Sequence, residues 1–195
     1  MAQPRHVLVI NGNPDPSAGR LTDALARAYA EGAEKSGCVV NQIRIGALEF
    51  PLLRQSTDFL APPTEPAIIA ARAQILAADH IVFVYPLWLG GPPALLKAFM
   101  EQVSRAGFAL TTSDGGFPKG ALKGRSARVV VTMGMPSLVY RFYYGAHGVL
   151  AFNRSILGMA GIKPIRTTYF GSIGSPLARV SSMTAKMRAL GQGVE

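Results

Sequence analysis

Three loops and one aromatic segment carry the residue types that can hold and process a ligand. The run Asn11-Gly12-Asn13-Pro14-Asp15-Pro16-Ser17-Ala18-Gly19 consists almost wholly of turn formers, and a helix is expected to start just beyond it, near Arg20. A helix start exposes unpaired N–H groups at the positive end of its dipole, so an anion is stabilised there without a special side chain. Ser17 and Thr22 are the candidate hydroxyl donors and Asn13 the candidate amide donor. The loop contains neither GxGxxG nor a Walker lysine, which argues against a dinucleotide fingerprint and an ATPase and leaves a nest for a single phosphate. The same residues also make an ordinary turn. A second loop, Leu87-Trp88-Leu89-Gly90-Gly91-Pro92, offers an apolar wall to a flat hydrophobic ligand, although a lone Trp beside Pro and Gly is often a packing residue. A third, Thr132-Met133-Gly134-Met135-Pro136, is made of small and apolar residues. The segment Ser137 to His147 interleaves Tyr140, Phe142, Tyr143 and Tyr144 with Arg141 and His147. Such a mixture can stack nucleobases, wall a pocket or pack at a subunit contact.

The elements that position these loops follow from periodicity. Ile81 to Tyr85 is a continuous β-branched and aromatic run, as a strand buried on both faces requires, and Pro86 ends it because it lacks a ladder N–H. Strands are also expected at His6–Ile10, Val39–Ile45, Val129–Val131 and Arg166–Phe170. Helices are expected from Arg20 to Ser36, Glu65 to Asp79, Pro93 to Arg105, Val149 to Gly161 and Leu177 to Leu190, the last with Leu177, Val180, Thr184 and Met187 inward. Ala47 to Thr64 reads as a long loop and Gly107 to Lys123, with Asp114, Gly115, Gly116 and Pro118, as a flexible excursion. Alternating strands and helices imply a three-layer α/β/α fold around a five-stranded parallel sheet, in the order 2-1-3-4-5. Ligands of open α/β sheets sit outside the carboxyl ends of the strands, where the three loops lie.

At 195 residues with 49% hydrophobic content, the chain suits one domain, 1–195. A single cysteine, Cys38, permits neither an internal disulfide nor a Cys-based metal cluster, and no metal site is expected. No secretory signal or membrane span is visible, so a cytoplasmic protein without membrane insertion is expected. The net charge of +9 favours anionic partners, but the basic residues are scattered, and no nucleic-acid arm is seen.

VLVINGNPDP, YPLWLGGPPALLKAFMEQV, VTMGMPSLVYRFYYGAHG and ILGMAGIKP together resemble the flavodoxin-like NAD(P)H:quinone oxidoreductases, which are flavoproteins. The resemblance implies that Asn13, Ser17, Arg20, Leu21 and Thr22 hold the phosphorylated end of a tightly bound FMN or FAD. It implies that Pro86, Leu87, Trp88 and Leu89 line the flavin ring, that Thr132, Met133 and Gly134 close its other edge, and that the protein is a homodimer with its site at the subunit contact. Tyr140 and His147 match the tyrosine and histidine that relatives place near substrate. Asn13 stands where many relatives carry histidine, and Met133-Gly134-Met135 where some have Thr-Gly-Gly, so the pocket is more apolar. The implied activity is two-electron, ping-pong reduction of a quinone or similar flat acceptor, with NAD(P)H as co-substrate and Arg20 and Arg141 attracting its phosphates. The alternatives are a flavin-binding regulatory subunit of a membrane transport system with little turnover, and a basic nucleic-acid-binding protein.

Overall fold

The computed structural model describes residues 4–111, 119–175 and 179–194. Five strands, β1 (His6–Asn11), β2 (Val39–Arg44), β3 (His80–Pro86), β6 (Ser126–Thr132) and β7 (Ile165–Phe170), form one parallel sheet in the order β2-β1-β3-β6-β7. The intervening β4 (Leu110–Thr111) and β5 (Lys119–Gly120) pair only with each other, antiparallel. With that ribbon set aside, the order is the expected 2-1-3-4-5. The ribbon lies inside the excursion read between Gly107 and Lys123, whose residues Asp114, Gly115, Gly116 and Pro118 fall outside the described residues.

The strands are buried on both faces, which their unbroken apolar runs require. Ile81, Phe83 and Tyr85 of β3 enter one core while Val82 and Val84 enter the other. The second core is capped by α1 (Leu21–Lys35) and α6 (Val180–Gly193). These two helices approach closely because a Cβ on Gly32 would stand 2.1 Å from the Arg188 carbonyl, and one on Gly191 2.1 Å from that of Tyr29. The first core is covered by α3 (Pro66–Ala77), α4 (Ala94–Ser104) and α5 (His147–Ala151), the last continuing as π-helical turns over Phe152–Gly158.

Two readings change. The stretch Ala47 to Thr64 contains a short helix, α2 (Ser56–Leu60), and is tied down by the buried Arg105. Arg105 Nε donates to the Asp58 carbonyl at 2.8 Å and the Ala61 carbonyl at 3.1 Å, and Nη2 donates to the Pro62 carbonyl at 3.1 Å. In α6 the inward face is Met183, Met187 and Leu190, not Val180 and Thr184. The Thr184 hydroxyl bonds back to the Val180 and Ser181 carbonyls of its own helix, and Leu177 lies outside the described residues.

Candidate functional site

Adjacent strand ends carry the three loops. Asn11 is in register with Val84, and Pro86 with Thr132. The ladder runs on into the loops: Gly12 N–H donates to the Val84 carbonyl (2.8 Å), Leu87 N–H to that of Thr132 (2.7 Å) and Met133 N–H to that of Phe170 (2.9 Å). One crevice mouth is therefore bordered by all three.

The loop after β1 is a ladder of Asx turns, the local bonding that makes Asn and Asp favour such positions. Asn11 Oδ1 accepts from Asn13 N–H (3.1 Å), Asn13 Oδ1 from Asp15 N–H (3.1 Å) and Asp15 Oδ1 from Ser17 N–H (2.8 Å). Asp23, in the first turn of α1, reaches back to accept from Arg20 N–H (2.9 Å) and from Asn11 Nδ2 (2.7 Å), which caps the helix from within. Asn13 Nδ2 donates to Thr22 Oγ1 at 3.1 Å, so both ends of the Asn13 amide bond inside the loop. Hydrogen bonds from Ser17 hold the Asp15 carboxyl below its ordinary pKa, with Arg20 adding to the effect. Arg20 pairs with Asp15 at 2.5 Å, and Arg44 meets Asp23 at 3.4 Å. The two carboxylates are thus matched by two guanidinium groups, and the field left at the loop is that of the α1 N-terminus. Ser17 and Arg20 are exposed, Leu21 is half-buried, and Thr22 is buried.

The loop after β3 is a tight turn. Trp88 N–H donates to the Gly91 carbonyl and Gly91 N–H to that of Trp88, both at 3.0 Å, with Leu89 at φ 47° and Gly90 at φ 82°. Gly90 takes that left-handed conformation freely, whereas Leu89 holds it at a cost of about 1 kcal/mol. Trp88 is 52% exposed and Leu89 fully so, while Pro86 and Leu87 are half-buried. Trp88 is therefore on the surface of the crevice region and not sealed in the core.

The loop after β6 is bonded to the segment that follows β7: Ile173 N–H donates to the Met133 carbonyl and Ser172 N–H to that of Met135, each at 3.0 Å. Thr132 and Met133 are buried, Met133 within the core, whereas Gly134 is exposed. A Cβ on Gly134 would meet the Ile173 carbonyl oxygen at 3.9 Å, and one on half-buried Gly91 the Gly148 Cα at 4.0 Å, so each position has room for a methyl group. Exposed Gly134, half-exposed Trp88 and the start of α1 thus follow three adjacent strand ends, an arrangement that suits a flat ring bearing a phosphorylated tail.

Tyr140, in the π-helical turn Val139–Tyr143, is buried, and its hydroxyl donates to the Gly90 carbonyl at 2.8 Å. Burial raises its pKa and that of Tyr169 beside it; the fully buried Tyr85 is raised much further by burial. Among the described residues the buried Tyr85 hydroxyl meets no hydrogen-bond partner. Exposed His147 opens α5, with its ring folded over Gly145, where a Cβ would stand 2.7 Å from Nε2. Arg141 is exposed and lies over the Tyr169 ring at 5.6 Å. Leu138, Phe142, Tyr143 and Tyr144 are also exposed. No group of three or more metal-ligating side chains occurs among the described residues. A groove of about 720 Å³ lies elsewhere, lined by Phe59, Leu60, Met100 and Met159, and includes none of the three loops.

The residues that sequence reasoning missed are Asp23 and Arg44, which close the first loop, and Gly148, whose backbone meets that of Gly90 in the second: a Cβ on Gly148 would stand 2.1 Å from the Gly90 carbonyl. The glycine following Ala146-His147 was the available signal.

A family model described as a flavodoxin-like fold matches residues 5–193. The FMN-dependent NADH:quinone oxidoreductase 2 of Listeria innocua is 27% identical over 203 residues, covering 94% of this chain and 95% of that protein. The rat (Rattus norvegicus) NAD(P)H dehydrogenase (quinone) 1 is 27% identical over 184 residues, covering 80% of this chain, which spans 66% of the rat protein's length. Among solved structures, the NAD(P)H:quinone oxidoreductase of Methanothermobacter marburgensis superposes with a TM-score of 0.82 at 18% identity, covering 98% of both chains. An FMN-dependent NADH-azoreductase of Bacillus anthracis, solved in complex with FMN, superposes at 0.75 with 16% identity, covering 97% of this chain and 99% of that one.

Proposed function

The chain belongs to the flavodoxin-like family, and from that premise we propose that it is an FMN-dependent NAD(P)H oxidoreductase that reduces a quinone or similar flat acceptor by two electrons in a ping-pong cycle. The observation that carries this reading is the crevice itself: a capped helix start, a half-exposed Trp88 turn and the bare backbone of Gly134, all on adjacent strand ends. FMN is preferred to FAD because the relatives matched over nearly their full length are named as FMN-dependent. When bound, the flavin supplies the redox chemistry, in which a hydride taken from NAD(P)H passes with a proton to the acceptor.

The chain's own residues bind and orient. N–H groups of Leu21 and Thr22, at the first turn of α1, with Ser17 and Arg20, hold the phosphate. Leu87, Trp88 and Leu89 give the apolar wall that excludes water from one side. Backbone N–H groups around Gly134 face the opposite edge, where fixed donors favour developing negative charge. Exposed His147 and Arg141 border the acceptor side, and Arg141 draws in the co-substrate's phosphates. Exposed Leu138, Phe142, Tyr143 and Tyr144 form an apolar surface next to the crevice, which supports a homodimer with its site at the subunit contact. No helix among the described residues is long and apolar enough to cross a membrane; a cytoplasmic location is part of the proposal.

Steady-state NAD(P)H oxidation with menadione, with and without added FMN, tests the assignment. FMN-dependent turnover is expected. The same exposed aromatic surface also suits a flavin-binding regulatory subunit of a membrane transport system, and slow oxidation with every acceptor despite bound FMN would select that second reading.

A further inference from the structure

The Trp88–Gly91 turn is closed by two hydrogen bonds of its own, and its root is held where Leu87 N–H donates to the Thr132 carbonyl at 2.7 Å, but none of these bonds fixes its outer half against the rest of the molecule. Leu89, at its tip, is fully exposed and contributes no anchor, and its φ of 47° leaves the turn poorly held by backbone preference. Two contacts from elsewhere meet it at Gly90. Gly148, in α5, lies so close that any side chain there would overlap the Gly90 carbonyl. Tyr140 donates its hydroxyl to the same oxygen at 2.8 Å.

Tyr140 is itself rooted in the loop after β6. Its N–H donates to the Pro136 carbonyl (3.2 Å), and its carbonyl accepts from Ala146 N–H (3.1 Å). The phenol therefore adds, at the tip of the turn, a second tie between the wall that leaves β3 and the wall that leaves β6, beyond the Leu87–Thr132 bond at its root. With 2% of its surface exposed and its proton given to a carbonyl, it is poorly placed to exchange protons with a ligand. The raised pKa from burial points the same way.

We propose that Tyr140 is a positioning residue, which fixes the Trp88 turn through the Gly90 carbonyl and so sets the width of the crevice, and does not act as a proton donor to substrate. The consequence for turnover rests on the oxidoreductase reading; the position of the turn does not. Trp88 is the only tryptophan in the chain, so its emission reports that position directly.

The test is Tyr140→Phe, which removes only the hydroxyl, compared with wild type as purified and after saturation with FMN. Trp88 emission is expected to shift, and its quenching by acrylamide to rise toward the fully exposed limit, about twofold at most from its half-exposed start, because loss of one neutral hydrogen bond raises the opening equilibrium roughly two- to tenfold. Far-UV circular dichroism is expected to stay unchanged. The KM for the acceptor rises more than kcat falls, and the pH profile keeps its shape. Gly148→Ala, which leaves every phenol in place, is expected to move the same Trp88 signal by pushing on Gly90 from the other side. Trp88 emission and quenching identical to wild type in Tyr140→Phe would overturn the proposal. So would a pH profile that loses one limb, which is the signature of a proton donor.

Discussion

The side-chain amide of Asn13 donates to the Thr22 hydroxyl across 3.1 Å, which closes the loop after β1 onto the first turn of α1. The hydroxyl oxygen accepts in that bond, which leaves its proton to be donated elsewhere. Thr22→Val preserves shape but removes that proton and leaves the Asn13 amide unpaired. FMN titration is expected to show affinity about tenfold weaker, matching about 1.5 kcal/mol for a hydrogen bond to a charged group. Unchanged affinity would place the phosphate elsewhere.

Arg105 is the residue on which the segment before α3 depends. Its guanidinium meets Glu65 at 3.2 Å and the Gln102 side chain at 3.0 Å, in addition to three carbonyls of residues 58–62. Arg105→Met deletes these bonds and strands a carboxylate, and urea denaturation is expected to show a loss of about 3 kcal/mol. A loss below about 1 kcal/mol would mean that water replaces the guanidinium without penalty.

His80 gives the fold an acid-sensitive point far from the crevice. It is buried at the start of β3, hydrogen-bonded through Nδ1 to Ser126 Oγ at 2.8 Å, and stacked on Tyr29. Burial, reinforced by Arg5, Arg128 and Arg166, pushes its pKa down to about 3. The unfolded chain takes up this proton near the ordinary value of about 6.5, and the folded chain does not until about 3. The contribution to stability is therefore complete above about pH 6.5 and falls by about 1.4 kcal/mol per unit as pH drops toward 3. Unfolding free energies of wild type and His80→Gln between pH 7 and 4 check this; parallel curves would refute it.

The α1–α6 contact has no room for a methyl group. Gly32→Ala places a Cβ 2.1 Å from the Arg188 carbonyl, so the helices must part. Despite the gain in helix propensity, a net loss of about 2 kcal/mol is expected from overpacking, read as a lowered thermal midpoint. An unchanged or raised midpoint would show that α6 yields freely.

The sheet was legible because its strands are continuous apolar runs and because Pro86 must end β3. Helix phase was less secure: in α6 Thr184 looked inward by spacing, yet its hydroxyl is satisfied by its own helix, and Met183, partly buried, packs against the core instead. The first loop was recognisable from its turn residues, but not the Asp23–Arg44 contact that balances its charge, since those residues belong to different elements. Which tyrosine of the Ser137 to His147 segment turns inward was not legible from its mixed aromatic and basic residues. A π-helical turn shifts the side-chain period, so one tyrosine points inward while Phe142, Tyr143 and Tyr144 remain outside.

The visible absorption spectrum of the purified protein, taken before and after incubation with FMN and followed by mass identification of what denaturation releases, tests the central claim most directly. A yellow protein holding one FMN per chain is the predicted result. A colourless protein that takes up neither FMN nor FAD would contradict the account.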